Sequence, residues 1–424
     1  MVAAATAETR VPSHHRTDSP IAQDAPSAET RPRHIFYMPG FDPRAPETYW
    51  GLFRRESRLT AARRGMAITV GDPERSPDGL RLDWRVAADG TETRYTLLRW
   101  DDIVAARFPR GNTRRLLAVP ALWWRLWRMG YVRRFRREAR RFSRVIVGVH
   151  LIYLALVVFS FGAALGLVGL LPDWTRPWSW LSAPALAYAI LAGLMAVTRG
   201  KPFYVAHLVD DTAFTHDHAD GREARMNARL DAFADLIRAA DGRAGEIVVI
   251  GHSSSSFLGI EVLDRVLARD PEFGRRGTPV SFVSIGSVIP WITLDPRAVA
   301  MRASLARVAA CDAVGWLDVR AKWDWLSIHK RNPLSASRVP APMAHRPVEI
   351  HVRIEDLIEK RILKRRKWNL FRMHFQLLMS SRDPHAFDYV AFVAGPEPVH
   401  AAIRRWRDGA EHPKARVTEE SAVP

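Results

Sequence analysis

The chain has 424 residues and a formal net charge of +18, and hydrophobic residues make up 47% of it. This length and composition exclude a small disulfide-stabilised domain and a wholly disordered chain, and they allow one large folded domain or two ordinary ones. The single cysteine, Cys311, excludes an internal disulfide framework and indicates a reducing compartment. The excess of positive charge indicates an anionic partner, either nucleic acid or a membrane surface.

Residues 1–33 are rich in Ala, Pro, Ser, Thr and His without an apolar period, which predicts a disordered leader that has no signal-peptide core. Residues 34–112 form the first part of the predicted folded domain. Its strand at 34–38 runs directly into Pro39, Gly40 and Phe41. An amphipathic helix at 49–65, a strand at 66–70, a hairpin over 80–98 and a short helix at 100–107 follow.

Residues 113–200 interrupt this domain. From 114 to 144 there are eleven arginines and one acid, Glu138, interleaved with tryptophans. Residues 145–171 and 178–198 are uncharged apolar stretches of 27 and 21 residues. At about 1.5 Å per residue, each is long enough to cross a hydrocarbon core of about 30 Å. We predict a basic interfacial helix followed by a transmembrane hairpin that binds the bilayer, which also explains the arginines without nucleic acid.

Arginines flank both ends of this predicted hairpin, so the positive-inside rule places both flanks in the cytoplasm. Both termini and the folded domain are therefore expected on the cytoplasmic side of a two-span membrane protein. The hairpin is expected to anchor the protein without contributing to its functional site.

Residues 201–400 are predicted to complete the domain, and 401–424 form a polar tail. The predicted elements after the hairpin are a strand at 203–209, a helix at 226–240, a strand at 247–250, a helix at 257–268, a strand at 280–285, a helix at 296–310 and strands at 316–319 and 348–354. This alternation predicts an α/β fold with a mostly parallel sheet flanked by helices. His216, Asp217, His218 and Asp220 are expected in a polar loop, and neither a metal site nor a cofactor is predicted.

A serine stands between the strand at 247–250 and the helix at 257–268, in the segment Gly251-His252-Ser253-Ser254-Ser255. So tight a turn exposes the serine hydroxyl, and the following helix points its amide donors at the same place. This arrangement suits a nucleophile. The alternative is an ordinary serine-rich helix N-cap.

This segment resembles the nucleophile elbow, Gly-x-Ser-x-Gly, of the α/β-hydrolase superfamily, with Ser255 in place of the last glycine. The strand followed by Pro39, Gly40 and Phe41 is similar to the place where that family supplies an oxyanion-hole donor. The resemblance implies a lipase- or esterase-like serine hydrolase with nucleophile Ser253 and no cofactor. It also implies an oxyanion hole made by the backbone amides of Phe41 and Ser254.

In that family the acid and then the histidine follow the serine. Asp324 lies beyond the end of the strand at 316–319, whereas Asp312 precedes this strand and Asp318 lies within it. His374 follows the last predicted strand among aromatic neighbours, and His385 is the alternative base. We therefore predict the catalytic residues Ser253, Asp324 and His374.

The function predicted on this basis is cleavage of an ester in an acyl lipid or amphiphile by a membrane-anchored serine hydrolase. The alternative is a catalytically inactive hydrolase-fold membrane protein that serves as a binding or scaffolding module. Residues 356–367 form a second basic segment, which is either an anionic-leaflet contact or a solvated helix face.

Overall fold

A computed structural model of the chain describes residues 32–107, 112–172, 174, 176–198, 204–342 and 345–409. Most of the predicted leader and the end of the predicted tail lie outside the described residues. The strands are β1 (Arg33–Met38), β2 (Ile68–Val70), β3 (Glu74–Arg75), β4 (Arg81–Ala88), β5 (Thr91–Leu98), β6 (Ile247–His252), β7 (Val280–Ile285), β8 (Val314–Ala321) and β9 (Val348–Val352).

The helices up to the second apolar segment are α1 (Glu47–Arg64), α2 (Asp101–Arg107), α3 (Asn112–Arg128), α4 (Tyr131–Glu138), α5 (Arg140–Gly169) and α6 (Arg176–Thr198). Those that follow are α7 (Val205–Ala219), α8 (Ala224–Arg238), α9 (Ser255–Arg269), α10 (Ile289–Thr293), α11 (Val299–Ala310), α12 (Pro333–Ser337), α13 (Ile354–Leu357), α14 (Lys360–Arg366), α15 (Leu370–Phe375), α16 (Tyr389–Ala394) and α17 (Val399–Arg407).

The described strands form one sheet in the order β2-β4-β5-β1-β6-β7-β8-β9, with β3 paired to β4. Strands β5, β1, β6, β7, β8 and β9 are parallel, and β4 is antiparallel to its neighbours. The predicted α/β class with a mostly parallel, helix-flanked sheet is confirmed. Strands from before and after the apolar segments share this sheet, because β1 pairs with both β5 and β6.

Both faces of the central strands are covered. Along β6, Ile247 and Val249 belong to one apolar core and Val248 and Ile250 to the other, as the period of two in a strand requires. The first core also holds α8, α9 and α11, and the second holds α1, α16 and α17. Every residue of β6 is buried, which explains its continuous apolar run.

The register of the central pair places two loops side by side. Met38 of β1 lies opposite Gly251 of β6 in a parallel ladder. The chain that leaves β1 therefore emerges at the same edge of the sheet as the turn that follows β6. This carboxyl edge is where parallel α/β sheets form their sites.

Helices α5 and α6 are both long and apolar enough to cross a membrane. Only 22% of the most apolar window of α5 and 17% of that of α6 is buried within the protein. Large side chains such as Phe159 and Leu181 are exposed along these helices. So large an apolar surface is typical of contact with a membrane or another protein.

The predicted strand at 203–209 is wrong, because residues 205–209 belong to helix α7, while residue 203 lies outside the described residues. Val205, Leu208 and Val209 recur at helical spacing and pack in a third apolar core with residues of α5 and α6. A short apolar run does not by itself distinguish a strand from a buried helix. The partner of this segment is the apolar hairpin and not the sheet.

The predicted polar loop around His216 and His218 is wrong for the same reason. Both histidines lie on α7 and are buried, with His216 Nδ1 2.8 Å from Asp295 Oδ2 and His218 Nε2 2.6 Å from Glu261 Oε2. No group of three or more metal-ligating side chains occurs among the described residues. These pairs tie α7 to α9 and to the loop that follows α10.

The first residues of the predicted polar tail belong to the folded domain. Helix α17 runs to Arg407, and its Ile403 and Trp406 are buried against the sheet core. Arg404, Arg405 and Arg407 lie among these apolar residues in the sequence, and this made the segment look polar. The structure thus extends the folded domain beyond residue 400.

Candidate active site

Ser253 occupies the turn between β6 and α9 with a φ of +57°. Few residues other than glycine adopt this left-handed conformation, which costs roughly 1–3 kcal/mol where it occurs. The Ser253 N–H donates a hydrogen bond of 3.0 Å to the carbonyl of Ile285, which fixes the turn against β7. A strained serine at a strand-to-helix turn is the geometry of a nucleophile elbow.

Two glycines make this turn possible. A Cβ on Gly251 would lie 2.2 Å from the carbonyl oxygen of Ser255, so only glycine fits two positions before Ser253. A Cβ on Gly40 would lie 2.8 Å from Ser253 Cβ. The loop that follows β1 therefore approaches the elbow directly.

Ser255, the departure from the Gly-x-Ser-x-Gly pattern, is fully buried. Its hydroxyl donates a hydrogen bond to the carbonyl of Pro39, which also accepts one of 2.8 Å from Trp100 Nε1. The serine thus gains a partner at a position where glycine has none. The departure ties the elbow to the Pro39–Phe41 loop and is compatible with the turn.

Asp324 and His374 form a buried pair. Asp324 follows β8, and its Oδ2 lies 2.8 Å from His374 Nδ1 on α15. The other oxygen, Oδ1, accepts a hydrogen bond of 3.0 Å from the Leu326 N–H. Burial alone would raise the pKa of Asp324, but the adjacent His374 and these hydrogen bonds hold it below its usual value. The carboxylate is therefore ionised at neutral pH and holds the His374 ring with Nδ1 as a donor.

A narrow cavity contains both the serine and the histidine. Its wall includes Ser253, His374, Gly40 and Phe41, together with apolar residues from several helices. His374 Nε2 is buried and has no hydrogen-bond partner among the described residues, so this ring nitrogen is available to accept a proton. No hydrogen bond is found between Ser253 Oγ and His374 Nε2; such contacts are often long in the absence of substrate. The cavity measures about 30 Å³, which is room for roughly two water molecules.

The two residues predicted for the oxyanion hole flank Ser253. Phe41 follows Gly40, and its ring packs on Trp100 and Phe214 at centroid distances of 6.0 and 5.5 Å. Ser254 directly precedes α9, whose N-terminal amides favour negative charge. Their joint role as backbone donors remains a prediction.

The alternative base His385, the acids Asp318 and Asp312, and a further histidine after the serine, His329, lie outside the cavity wall. His385 is exposed on a loop. Asp318 is buried, pairs with Arg320 and accepts a hydrogen bond from Ser284, while Asp312 is exposed and paired with Arg275. His329 is engaged through Nδ1 by Arg141 at 3.0 Å. Of these candidates and the predicted pair, only His374 shares the cavity with Ser253.

Searches with the chain against family models, curated proteins and solved structures found no significant match.

The expectation that the apolar hairpin contributes nothing to the site is wrong. Phe142 and Ile146, near the start of α5, line the cavity. Arg141 donates hydrogen bonds to the carbonyls of Lys322 and Asp324, the latter at 2.8 Å. The first helix of the hairpin thus forms one wall of the cavity and supports the loop that carries Asp324.

Two further cavity residues were missed as site residues. The ring of His252 stacks on that of His374 at 4.5 Å, and burial followed by the neighbouring His374 lowers its pKa far below the usual value. His252 therefore stays neutral and adds no charge beside the candidate base. Asp211 of α7 also lines the cavity. Its sequence signal, an acid within an apolar run, was obscured by the wrong strand prediction.

Gly286 packs directly against the acid and histidine. Its φ is +58°, and a Cβ there would lie 2.6 Å from His374 Cε1 and 3.0 Å from Asp324 Oδ2. For the ester hydrolysis predicted from the sequence, we expect Gly286→Ala to lower kcat by about 100-fold, because a displacement of about 1 Å in a catalytic group has that effect. Steady-state kinetics on a short-chain ester measure it.

Gly65→Ala is the matched control. Gly65 has a φ of +67°, but nothing lies within 4 Å of its Cβ position. Both variants should lose about 1–2 kcal/mol of stability from left-handed strain. Equal kcat in Gly286→Ala and Gly65→Ala would show that the contact with His374 and Asp324 is unimportant.

Proposed function

We propose that this protein is a membrane-anchored serine hydrolase that cleaves an ester through an acyl-enzyme at Ser253. The observation that carries the proposal is the buried Asp324–His374 hydrogen bond, whose histidine shares one cavity with a serine at φ +57°. A serine hydroxyl is nearly inert until a base takes its proton, and a carboxylate is needed to hold that base in one tautomer.

In the proposed reaction, His374 Nε2 takes the proton of Ser253 Oγ as the oxygen attacks the carbonyl carbon of the ester. The backbone amides of Phe41 and Ser254 stabilise the negative charge on the carbonyl oxygen. His374 then returns the proton to the departing alcohol. Water then attacks the acyl carbon while His374 takes its proton; the bond to Ser253 Oγ breaks, His374 returns the proton to the serine, and the acid is released. Asp324 keeps its negative charge throughout and stabilises the protonated imidazole.

An acyl lipid or amphiphile is the proposed substrate class. Leu208, Leu326 and Phe371 line the cavity and also belong to, or pack against, the apolar core that contains Val149 of α5 and Leu191 of α6. The cavity is therefore contiguous with the helices that are proposed to cross the bilayer. An acyl chain needs more room than about 30 Å³, so its entry requires movement of the aromatic side chains at the wall.

A basic surface near the start of α5 supports a membrane location. Lys364, Arg365 and Arg366 of α14 are exposed while Leu363 is buried. The neighbouring Trp368 is 68% exposed and contacts Trp325, whose ring lies 5.5 Å from the Arg141 guanidinium. Exposed tryptophan beside clustered arginine and lysine is typical of a bilayer interface with anionic lipid. We propose that this side faces the cytoplasmic leaflet.

A fluorophosphonate probe tests the proposed function. Wild-type protein in detergent should be labelled covalently, and Ser253→Ala should not. Ser255→Gly restores the usual elbow pattern and should still be labelled. An unlabelled wild type that is correctly folded would favour the alternative, a hydrolase-like protein that only binds or scaffolds.

Removing the hairpin should impair chemistry as well as anchoring. Replacement of residues 145–198 by a short Gly/Ser linker deletes Ile146 from the cavity and the α5 surface on which α7 packs. We expect kcat/KM for a small soluble ester to fall at least 10-fold, roughly the effect of losing 1.4 kcal/mol of transition-state stabilisation. Phe161→Leu, at a position that is 53% exposed on α5, is the control and should keep full activity. Unchanged kinetics in the linker variant would show that the hairpin only anchors the protein.

A further inference from the structure

Asp211 is a buried carboxyl group inside the candidate active site. It lies on α7, is 6% exposed, and lines the same cavity as Ser253 and His374. The Ser254 hydroxyl donates to it, with Oγ 3.1 Å from Oδ1 and 3.3 Å from Oδ2. No ion pair to Asp211 occurs among the described residues. Asp211 has no role in the reaction proposed above.

The charged groups around Asp211 already have partners. Asp210, its neighbour in the chain, pairs with Arg115 of α3 at 2.6 Å. Arg107 of α2 lies near enough to affect Asp211 but pairs with Asp217 and Glu223. Asp42, which also lines the cavity, accepts hydrogen bonds from Arg44 and from the Tyr49 hydroxyl. The other titratable groups of the cavity wall are His207, His252 and His374.

This environment favours the neutral form of Asp211. Burial raises its pKa to about 8, with a smaller increase from Asp210, although the Ser254 hydrogen bond and Arg107 act in the opposite direction. At neutral pH the group is therefore mostly a carboxylic acid. One of its oxygens accepts from Ser254, and the acid proton remains available for donation into the cavity.

We propose that Asp211 is a third oxyanion donor, a neutral carboxylic acid that donates a hydrogen bond to the substrate oxygen held by the Phe41 and Ser254 amides. This inference rests on the proposed function and adds a residue to it. The proton is shared with the substrate oxygen and stays on Asp211, so the reaction steps above remain balanced. An ionised Asp211 would instead place a negative charge beside a developing oxyanion and oppose the reaction.

The pH dependence of hydrolysis tests the role. Asp211 is active in its protonated form, so on the alkaline side wild-type kcat/KM should fall tenfold per pH unit above a pH of about 8. Asp211→Asn cannot ionise and still has N–H donors, so it should lose this alkaline fall. Asp211→Leu has no donor and should lower kcat about 100-fold at every pH. Asp235→Asn, an exposed carboxylate on α8 outside the cavity wall, should match the wild type.

Ser254→Ala provides a second test that keeps Asp211 in place. It retains the backbone amide and removes the hydroxyl whose hydrogen bond lowers the Asp211 pKa. The alkaline fall should therefore move to higher pH. An Asp211→Asn profile identical to that of the wild type, an unshifted profile in Ser254→Ala, or full kcat in Asp211→Leu would each overturn the proposal.

Infrared difference spectroscopy separates this inference from the proposed function. The wild type minus Asp211→Asn spectrum should show the carbonyl stretch of a protonated carboxyl at pH 6.5 and lose it at pH 9.5. If this band is absent at pH 6.5, Asp211 is not a neutral acid. If the band is present but Ser253→Ala hydrolyses ester normally, the proposed function fails while the state of Asp211 stands.

Discussion

Replacement of Ser253 by alanine is expected to lower kcat for ester hydrolysis by about 10⁴- to 10⁶-fold, the range seen when a serine nucleophile is removed. The reason is specific to this position. Ser253 combines a left-handed φ of +57° with the close approach of Gly40 and a place in the cavity of His374. Purified protein with a chromogenic ester gives the rate, and circular dichroism checks the fold.

The adjacent serines supply the controls. Ser255 and Ser256 are fully buried, and their hydroxyls hydrogen-bond to the Pro39 carbonyl and the Val288 N–H. Ser255→Ala and Ser256→Ala should therefore alter kcat about 10-fold or less, because each would only shift the loop to which its hydroxyl is hydrogen-bonded. If Ser255→Ala were inactive and Ser253→Ala still formed an acyl-enzyme, Ser255 and not Ser253 would be the nucleophile.

Loss of His374 or Asp324 is expected to have the next largest effect. His374→Ala should reduce kcat about as much as Ser253→Ala, and Asp324→Asn about 10⁴-fold, because the amide no longer holds Nδ1 as a donor. Since the residues act as one unit, adding His374→Ala to Ser253→Ala should cost little more. Single-turnover rates of the two single variants and the double variant measure this coupling.

The exposed alternative base gives the contrast. His385→Ala should retain wild-type kcat, since this histidine lies outside the cavity wall. Full activity in His374→Ala together with loss in His385→Ala would contradict the assignment. Additive effects of Ser253→Ala and His374→Ala would indicate that the two residues do not function together.

Local signals in the sequence predicted most strands of the sheet, whereas the family resemblance supplied the order of acid and histidine after the serine. The apolar run before Ser253 became β6, and the strand predicted at 280–285 matches β7. Asp324 was chosen because it follows a strand end, and that rule placed it at the edge of the sheet where His374 arrives. The strands depended only on residues within each element, while the choice of Asp324 and His374 also used the chain order that the resemblance implies.

What the sequence did not predict depends on contacts between distant segments. Helix α7 looked like a strand because its apolar face packs on α5 and α6, which no local pattern reveals. The same error concealed Asp211, and the length of the apolar hairpin concealed the part played by Phe142 and Ile146. The neutral stacking partner His252 is also recognisable only once α15 has been positioned over β6.

The central pairing of β1 with β6 has a consequence for synthesis. Arg33 and Glu246, which form a salt bridge where these two strands begin, are 213 residues apart in the chain. At 5–20 residues per second a ribosome needs about 10–40 s to make the intervening segment. Throughout that time β1 has an unpaired edge and apolar residues on both faces, the features that promote aggregation. Nascent chains that end before β6 should therefore need chaperone protection, while those that include it should not.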